Sequence, residues 1–543
     1  IDKRMPEEFS VIGKSKLRID ARDKVSGKLK YSGDIEFGRI LHGVVLRSPH
    51  PHALIRKIDV SRAEQHPGVK AVVTAKDVPG RNGFGGIVAD QPVICGDKVR
   101  FVGDGVALVA ALDEQTAIQA LELIQVDYEP LPSLFSPIEA LAADAPKIHD
   151  SGNLITTSRI EKGDVKVGFA SADVVLERTY QVPFLEQAYL EPDIAIAVPS
   201  NDGSITVYGP MQAPFTVRKN VAYVLGIPIN KVRCVVPHLG GGFGGKDDSS
   251  IDTAVRAAVL AWKTKSPVRL EYSREEIMLS TSKRHPMAIT CKIGVRKDGT
   301  FVAFEGTIYD EQGAYAGLGA TAPPACGVHV HACIMLAGPY EIPNIKIEGH
   351  LVYTNHPYGG AMRGFGAPQV NFAHESLVDE LADILDMDPF ELRMKNCFKL
   401  GSRTATGQIL DQSVGLRETM VAAATAFKWA VKRKASTTQI KPPSNEKRVG
   451  YGMSIGWYRT SIGSASDGCG ANVHLLEDGS VIVYQGLVEM GQGVHTGLAQ
   501  IAAEALGVAV EDVRIAVPDT NSAPESGPSV GSRWLTVGGK ATL

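Results

Sequence analysis

The run Gly240-Gly241-Gly242-Phe243-Gly244-Gly245-Lys246 is the stretch whose residue types and spacing best suit chemistry. A protein tolerates so much glycine where backbone must turn at positive φ or come very close to a bound group. A β-branched run, Val232 to Pro237, precedes it; after it Ile251, Ala254, Val255, Ala258, Val259 and Trp262 recur at helical spacing. Strand, glycine loop and helix together aim backbone amides and a helix N-terminus at an anion. Formally the run reads G-x-x-x-x-G-K, the phosphate loop of nucleotide hydrolases. Asp247 follows, however, where magnesium ligation calls for Ser or Thr, and a carboxylate there repels phosphates. A tight glycine turn without a ligand is the other reading.

Two further stretches have the same character. Tyr358-Gly359-Gly360-Ala361-Met362-Arg363-Gly364-Phe365-Gly366-Ala367-Pro368-Gln369 leads into a helix predicted over Val370 to Leu385, with Phe372, Leu377, Leu381 and Leu385 facing a core. Glu489-Met490-Gly491-Gln492-Gly493 belongs to an internal repeat. Asp202-Gly203-Ser204-Ile205-Thr206-Val207-Tyr208 recurs as Asp478-Gly479-Ser480-Val481-Ile482-Val483-Tyr484, and Ala222–Pro237 aligns without a gap on Ala503–Pro518, seven of sixteen positions identical. The repeat predicts two related strand–loop–helix–strand units facing each other across a cleft. Their loops, Gly209-Pro210-Met211-Gln212 and the glycine run from one, Glu489–Gly493 and Ser526–Ser532 from the other, then converge on a large polar anion.

The elements that carry these loops belong to an ordinary globular chain of 543 residues, 44% hydrophobic and 22% charged, long enough for about three domains. A net charge of −3 without a basic block argues against nucleic acid or membrane surfaces, and no apolar run is long enough to span a membrane. Seven scattered cysteines form no CxxC and no ferredoxin spacing, which reads as reduced thiols in a cytoplasmic protein with no iron–sulfur cluster of its own. Residues 13–131 read as a mixed α+β unit, with strands at Leu41–Leu46 and Val106–Ala110, a helix over Glu114–Ile124, and His50 and His52 in a surface turn. The first repeat occupies 145–431, a polar linker 432–449, and the second repeat 450–543.

The glycine run at 240–246, Ala-Met-Arg-Gly-Phe-Gly-Ala-Pro-Gln at 361–369 and Glu-Met-Gly-Gln-Gly-Val-His-Thr at 489–496 together resemble the molybdenum-binding large subunit of the xanthine dehydrogenase and aldehyde oxidase family. The resemblance covers nearly the whole chain. It implies an α+β fold in which 13–131 is a hammerhead domain and the repeats are two molybdopterin-binding halves, the second incomplete. The metal then sits on molybdopterin, possibly in its dinucleotide form, and not on side chains. By the same resemblance Gln212 bonds an oxo ligand of the metal, and the backbone around Gly242, Phe243, Gly244, Arg363 and Gly531 lines the metal centre. Gly491, Gln492 and the Ser526–Ser532 loop with Ser529 hold the pterin, and Phe365 stacks on a planar substrate.

The implied reaction is hydroxylation with water as the oxygen source. Electrons leave through [2Fe–2S] clusters and FAD on a small and a medium partner subunit, within a higher oligomer of such heteromers. The family's catalytic glutamate belongs to a motif beyond Leu543, so no glutamate here is named as the base. The chain then reads as a fragment, or as a subunit whose second half is completed by another polypeptide. Gly364 stands where carbon monoxide dehydrogenases carry cysteine, which excludes carbon monoxide. Asp247 and His331 stand where purine-oxidising members carry an acid and a base, which favours a planar N-heterocycle over an aldehyde. A pterin-binding scaffold without turnover and a degenerate phosphate-loop hydrolase are the readings from other classes. On this reading purified material contains molybdopterin only when the rest of the second half is present. A full complement of molybdenum in the isolated 543-residue chain would contradict it.

Overall fold

A computed structural model describes residues 8–317, 327–438, 450–460 and 467–543. The chain is α+β, as its sequence pattern predicts. The largest sheet has seven strands, in the order Val232–Val235, Ile205–Tyr208, Ile194–Pro199, Val268–Glu271, Leu41–Arg47, Gly105–Ala111 and Val69–Val73. Its last three strands come from the N-terminal unit and its first four from the first repeat. Parallel pairing of Leu41–Gly43 with Val268–Leu270 joins them. The N-terminal unit therefore shares its main sheet with the first repeat instead of folding around one of its own. A second, three-stranded sheet, Lys98–Val99, Ala53–Asp59 and Gln125–Pro130, lies wholly within it. His52 departs from its predicted surface turn: it is buried, with Nδ1 2.6 Å from the Pro132 carbonyl.

A five-stranded sheet, ordered Leu154–Lys162, Asn344–Tyr353, Phe301–Gly313, Met287–Val295 and Val174–Val182, carries the rest of the first repeat. The helix Ala367–Ile384 packs on it, starting three residues earlier than predicted because Pro368 suits a first helical turn. Leu377 and Leu381 are buried as expected, but Phe372 is half exposed and lies edge-on to Tyr180 at 5.8 Å. The polar stretch beginning at 432 is helical at first, within Trp429–Thr438. Residues 439–449 lie outside the described residues.

The repeat proves to be structural. In the first copy the strand Ile205–Tyr208 runs parallel to Val232–Val235 through the helix Pro214–Leu225. In the second, Val481–Tyr484 runs parallel to Val513–Ile515 through the helix Val494–Leu506. The repeated Leu-Gly pairs end the two helices, with Gly226 and Gly507 at φ 68° and 70°, where a side chain is disfavoured. The repeated Asp-Gly-Ser makes the same turn twice, since Ser204 and Ser480 each donate both N–H and Oγ–H to the aspartate two residues before. The copies meet at their edges: Val236 N donates to the Pro518 carbonyl at 2.9 Å, Thr520 N to Cys234 O at 3.0 Å, and Arg233 pairs with Asp519 at 2.6 Å.

The helix Gly245–Thr264 runs through the middle of the first repeat, and every residue from Gly245 to Ala261 is buried. A helix buried on all sides has to pair its charges internally. Arg256 does so with Asp252 one turn back at 2.9 Å, with Tyr272 Oη at 2.7 Å and with the Val93 carbonyl. The six described cysteines are unpaired thiols, and Cys326 lies outside the described residues. Among the described residues no helix is long and apolar enough to cross a membrane.

Asp104 ties the N-terminal unit to the first repeat, its carboxylate accepting from Arg100 N at 2.7 Å and Tyr315 Oη at 2.8 Å. Burial pushes its pKa up to about 6. The folded protein thus holds this proton more tightly than the unfolded chain does, so the contribution is fully present below pH 4 and is lost as pH rises through 6. Asp104→Asn cannot titrate. Relative to the variant, the parent should lose about 2–3 kcal/mol of stability between pH 4 and pH 7, read from unfolding midpoints. A difference between the two proteins that does not change with pH would rule this out.

Candidate active site

Gln212, on the loop after the strand Ile205–Tyr208, is where the loops meet. Its backbone N–H donates to the Lys246 carbonyl at 3.0 Å and its carbonyl accepts from Ser529 N at 2.9 Å. Its side-chain Oε1 accepts from Gly244 N at 3.0 Å, and Nε2 lies 3.4 Å from the Ser529 carbonyl. Ser529 Oγ in turn accepts from Val488 N at 2.7 Å, one residue before Glu489-Met490-Gly491-Gln492-Gly493. Arg363 N donates to the Phe243 carbonyl at 2.8 Å, which joins the loop between the repeats. The predicted convergence of loops from both repeats is therefore built through one buried glutamine.

Space and donors around Gln212 suit a bound anion. A Cβ on Gly242 would lie 2.5 Å from Gln212 Oε1, so the glycine run is packed as closely as backbone allows. Among the described residues, the amides of Gly242, Phe243, Gly531 and Ser532 donate to nothing in the chain. Phe243 and Ser532 hold φ of 53° and 54°, a strained conformation for residues with side chains. Gly491 and Gln492 are exposed, and Gln492 braces its own turn by donating to the Val488 carbonyl and accepting from Met490 N. Arg363 is exposed, with its carbonyl held by Arg284 at 2.8 Å.

Lys246 has a different role from the one its phosphate-loop pattern suggests. Its side chain is fully buried, its Nζ pairs with Glu191 Oε2 at 2.8 Å and lies 4.7 Å from the Tyr189 ring centroid. Glu191 also accepts from Gly240 N at 2.8 Å. The charge a nucleotide phosphate would need is neutralised inside the protein, so the nucleotide-hydrolase reading falls.

The structure brings His331 to Phe365 in the Ala361–Gly366 turn, while Asp247 sits in the first turn of the helix that follows the glycine run. Asp247 N donates to the Gly244 carbonyl, and a Cβ on Gly244 would meet Ala361 O at 2.7 Å. Burial without a charged partner pushes the Asp247 carboxyl up to about 7. His331, on the helix Val328–Met335, has Nδ1 2.5 Å from the Phe365 carbonyl, so Nδ1 carries the proton and the buried Nε2 is an acceptor without a partner. Burial pulls its pKa down to about 4, leaving the ring neutral at pH 7 at the position read from the sequence as that of a base. Phe365 is half-buried at φ 46°, 6.1 Å from the His331 ring, and Tyr458 approaches that ring edge-on at 4.8 Å. Gly364 holds φ 94°, and a side chain there would meet Pro368 Cγ at 2.3 Å.

Several supports of the site carry no sequence signal of their own. Glu191 braces the glycine run, and Arg284 supports the Arg363 turn by pairing at 3.1 Å with Gln369, itself the last residue of the 361–369 motif. Glu191 and Arg284 lie in no motif, and their roles are visible only once folding brings them to the loops.

The sequence matches known families along most of its length. Residues 26–132 match the aldehyde oxidase and xanthine dehydrogenase a/b hammerhead domain, and residues 148–397 and 422–543 match two molybdopterin cofactor-binding domains. A probable xanthine dehydrogenase subunit of Bacillus subtilis is 39% identical over 96% of this chain and 68% of its own length. The chain belongs to the molybdenum-binding xanthine dehydrogenase and aldehyde oxidase family. Within that family the nicotinate dehydrogenase large molybdopterin subunit of Eubacterium barkeri is 40% identical over 77% of this chain and 96% of its own. The aldehyde oxidoreductase from Desulfovibrio gigas superposes with a TM-score of 0.89 at 34% identity, over 97% of this chain and 58% of that one. This molybdopterin-binding chain thus spans little more than half of that solved relative.

Gly242→Ala should displace Gln212 and break the Gly244 and Ser529 contacts, at about 1–3 kcal/mol. Because the added methyl meets Gln212 Oε1, adding Gln212→Ala relieves the clash, and the double variant should be less destabilised than the sum of the singles. Strict additivity of unfolding midpoints would show that the two do not touch in this way.

Proposed function

We propose that this chain supplies the molybdopterin-holding part of an enzyme that hydroxylates a planar aromatic N-heterocycle, purine-like or smaller, with water as the oxygen source. The observation that carries the reading is the junction of loops from both repeats on Gln212, flanked by unused backbone amides. The amides of Gly242, Phe243, Gly531 and Ser532 and the spare Gln212 amide hydrogen suit the oxo groups and anionic tail of molybdopterin. When bound, that cofactor supplies a two-electron redox centre for hydroxylation. Iron–sulfur and FAD partner subunits are expected to carry the electrons away, and no glutamate of this chain is assigned as the base.

Phe365 offers a ring on which a planar substrate stacks. A protonated Asp247 donates to a ring nitrogen, and His331 Nε2 accepts from a ring N–H. The identity with a nicotinate dehydrogenase subunit supports this substrate class. A second reading, aldehyde oxidation, draws on the likeness to an aldehyde oxidoreductase and on the neutrality of His331, which denies a purine a cationic partner. The Gly364 contact with Pro368 supports the exclusion of carbon monoxide, because a cysteine side chain has no room there.

Turnover by the complete assembly decides between the substrate classes. Xanthine, hypoxanthine or nicotinate should be oxidised faster than simple aldehydes, and Asp247→Ala should slow the heterocycles selectively. If the protonated carboxyl is the donor, kcat/KM for heterocycles falls as pH rises through about 7, and Asp247→Asn flattens that limb. Faster aldehyde oxidation together with an unchanged heterocycle rate in Asp247→Ala would overturn the assignment. Pterin without turnover of either class would point to a scaffold.

A further inference from the structure

The segment before the first strand of the main sheet runs along the helix Val494–Leu506 of the second repeat. Glu504 accepts from the amides of Ser10, Val11 and Ile12 at 3.0, 2.6 and 3.1 Å. One turn back, Gln500 Nε2 donates to the carbonyls of Val11 and Lys14. Another turn back, Thr496 Oγ1 accepts from Ile19 N at 3.2 Å. The contacts at 504, 500 and 496 share one helical face, so the segment descends the helix to its N-terminus.

There Arg18 reaches the turn Glu489–Gly493. Its Nη1 donates to the Gly491 carbonyl at 2.6 Å and its Nη2 to Glu489 Oε1 at 3.1 Å. Asp20 holds the guanidinium from the other side through Nε and Nη2, each at 3.0 Å, and is itself paired with Lys24. Glu489 is buried and accepts from the amides of Gly491, Gly493 and His495 at 2.8, 2.9 and 3.2 Å. Carboxylate and guanidinium thus clamp the turn from inside and outside. Further on, Tyr31 bridges to His238, and Ser32 N lies 3.4 Å from Glu191 Oε1, the carboxylate that braces the glycine run. One segment therefore touches the acidic brace of a loop in each repeat.

A turn with glycines at 491 and 493 loses much backbone freedom when it is ordered, and a binding site that is already ordered avoids that cost when its ligand arrives. We propose that Arg18 is a positioning residue for the turn Glu489–Gly493, and that residues 10–33 form a strap that presets the loops of both repeats before cofactor binds. The proposal rests on the reading that these loops hold molybdopterin.

The test uses the complete assembly with Arg18→Ala, Arg18→Lys and, as control, Leu17→Ala, whose side chain projects into solvent. Hydrogen exchange across 489–496 and retention of molybdenum and pterin on dialysis are measured together. Arg18→Ala should speed exchange in that peptide and shorten retention by about tenfold to a hundredfold, as loss of an outer-shell support does. Arg18→Lys should restore part of both, since an ammonium pairs with Glu489 but cannot also reach the Gly491 carbonyl in a fixed fork. Exchange and retention equal to the parent in Arg18→Ala, or faster exchange throughout the chain, would overturn the proposal. A parent assembly without molybdopterin would refute the functional reading instead, while exchange at 489–496 still decides the strap.

Discussion

Four hydrogen bonds to one buried glutamine hold this structure's chemistry in register. Gln212 uses its backbone and its side-chain amide to bind the glycine run and the Ser529 loop at the same time. Each bond alone is modest, about 1 kcal/mol, but a buried amide that lost one partner would leave unsatisfied groups on both repeats. Neither loop can move without disturbing the other. The close contact of Gly242 with Gln212 and the edge pairing of Val236 with Pro518 serve the same junction.

Several buried charges are handled by local pairing. Lys246 meets Glu191, Arg256 meets Asp252, and Arg393 meets Glu375 at 2.9 Å. Asp310 lies between His285 and His329 at 2.8 and 3.1 Å, and hydrogen bonding to it raises His329 to about 10 against the opposing effect of burial. Asp247 and His331 differ from those pairs: Asp247 is buried with no opposite charge beside it, and His331 Nε2 is buried without a hydrogen-bond partner. A buried acid without an opposite charge and a buried acceptor without a donor are each a group that a polar ligand could complete.

Much of the architecture was legible in the sequence because the repeat and the glycine runs are local patterns with local causes. Leu225-Gly226 and Leu506-Gly507 end helices, and Asp-Gly-Ser makes the same turn twice, so matching letters imply matching geometry. The shared sheet was not legible, since nothing local tells Leu41 that its neighbour is Val268. Nor was the charge state of His331, which depends on burial beneath Phe365 and Tyr458. Phe372 misled because helical spacing gives a face but not its width. The motif residues Gln212, Phe243, Arg363 and Ser529 do come together, whereas Glu191 and Arg284, which support them, lie in no motif.

The seven-stranded sheet also constrains how the chain is made. Leu41 emerges from the ribosome long before Val268, the strand it must pair with in parallel. Until then Leu41–Arg47, paired on its other side with Gly105–Ala111, presents an unprotected edge to the cell. Long-range parallel pairing is slow, and exposed edges recruit other chains. Synthesis thus passes through an interval in which the N-terminal unit is aggregation-prone, and that interval closes only when the strand Val268–Glu271 arrives to cover the edge.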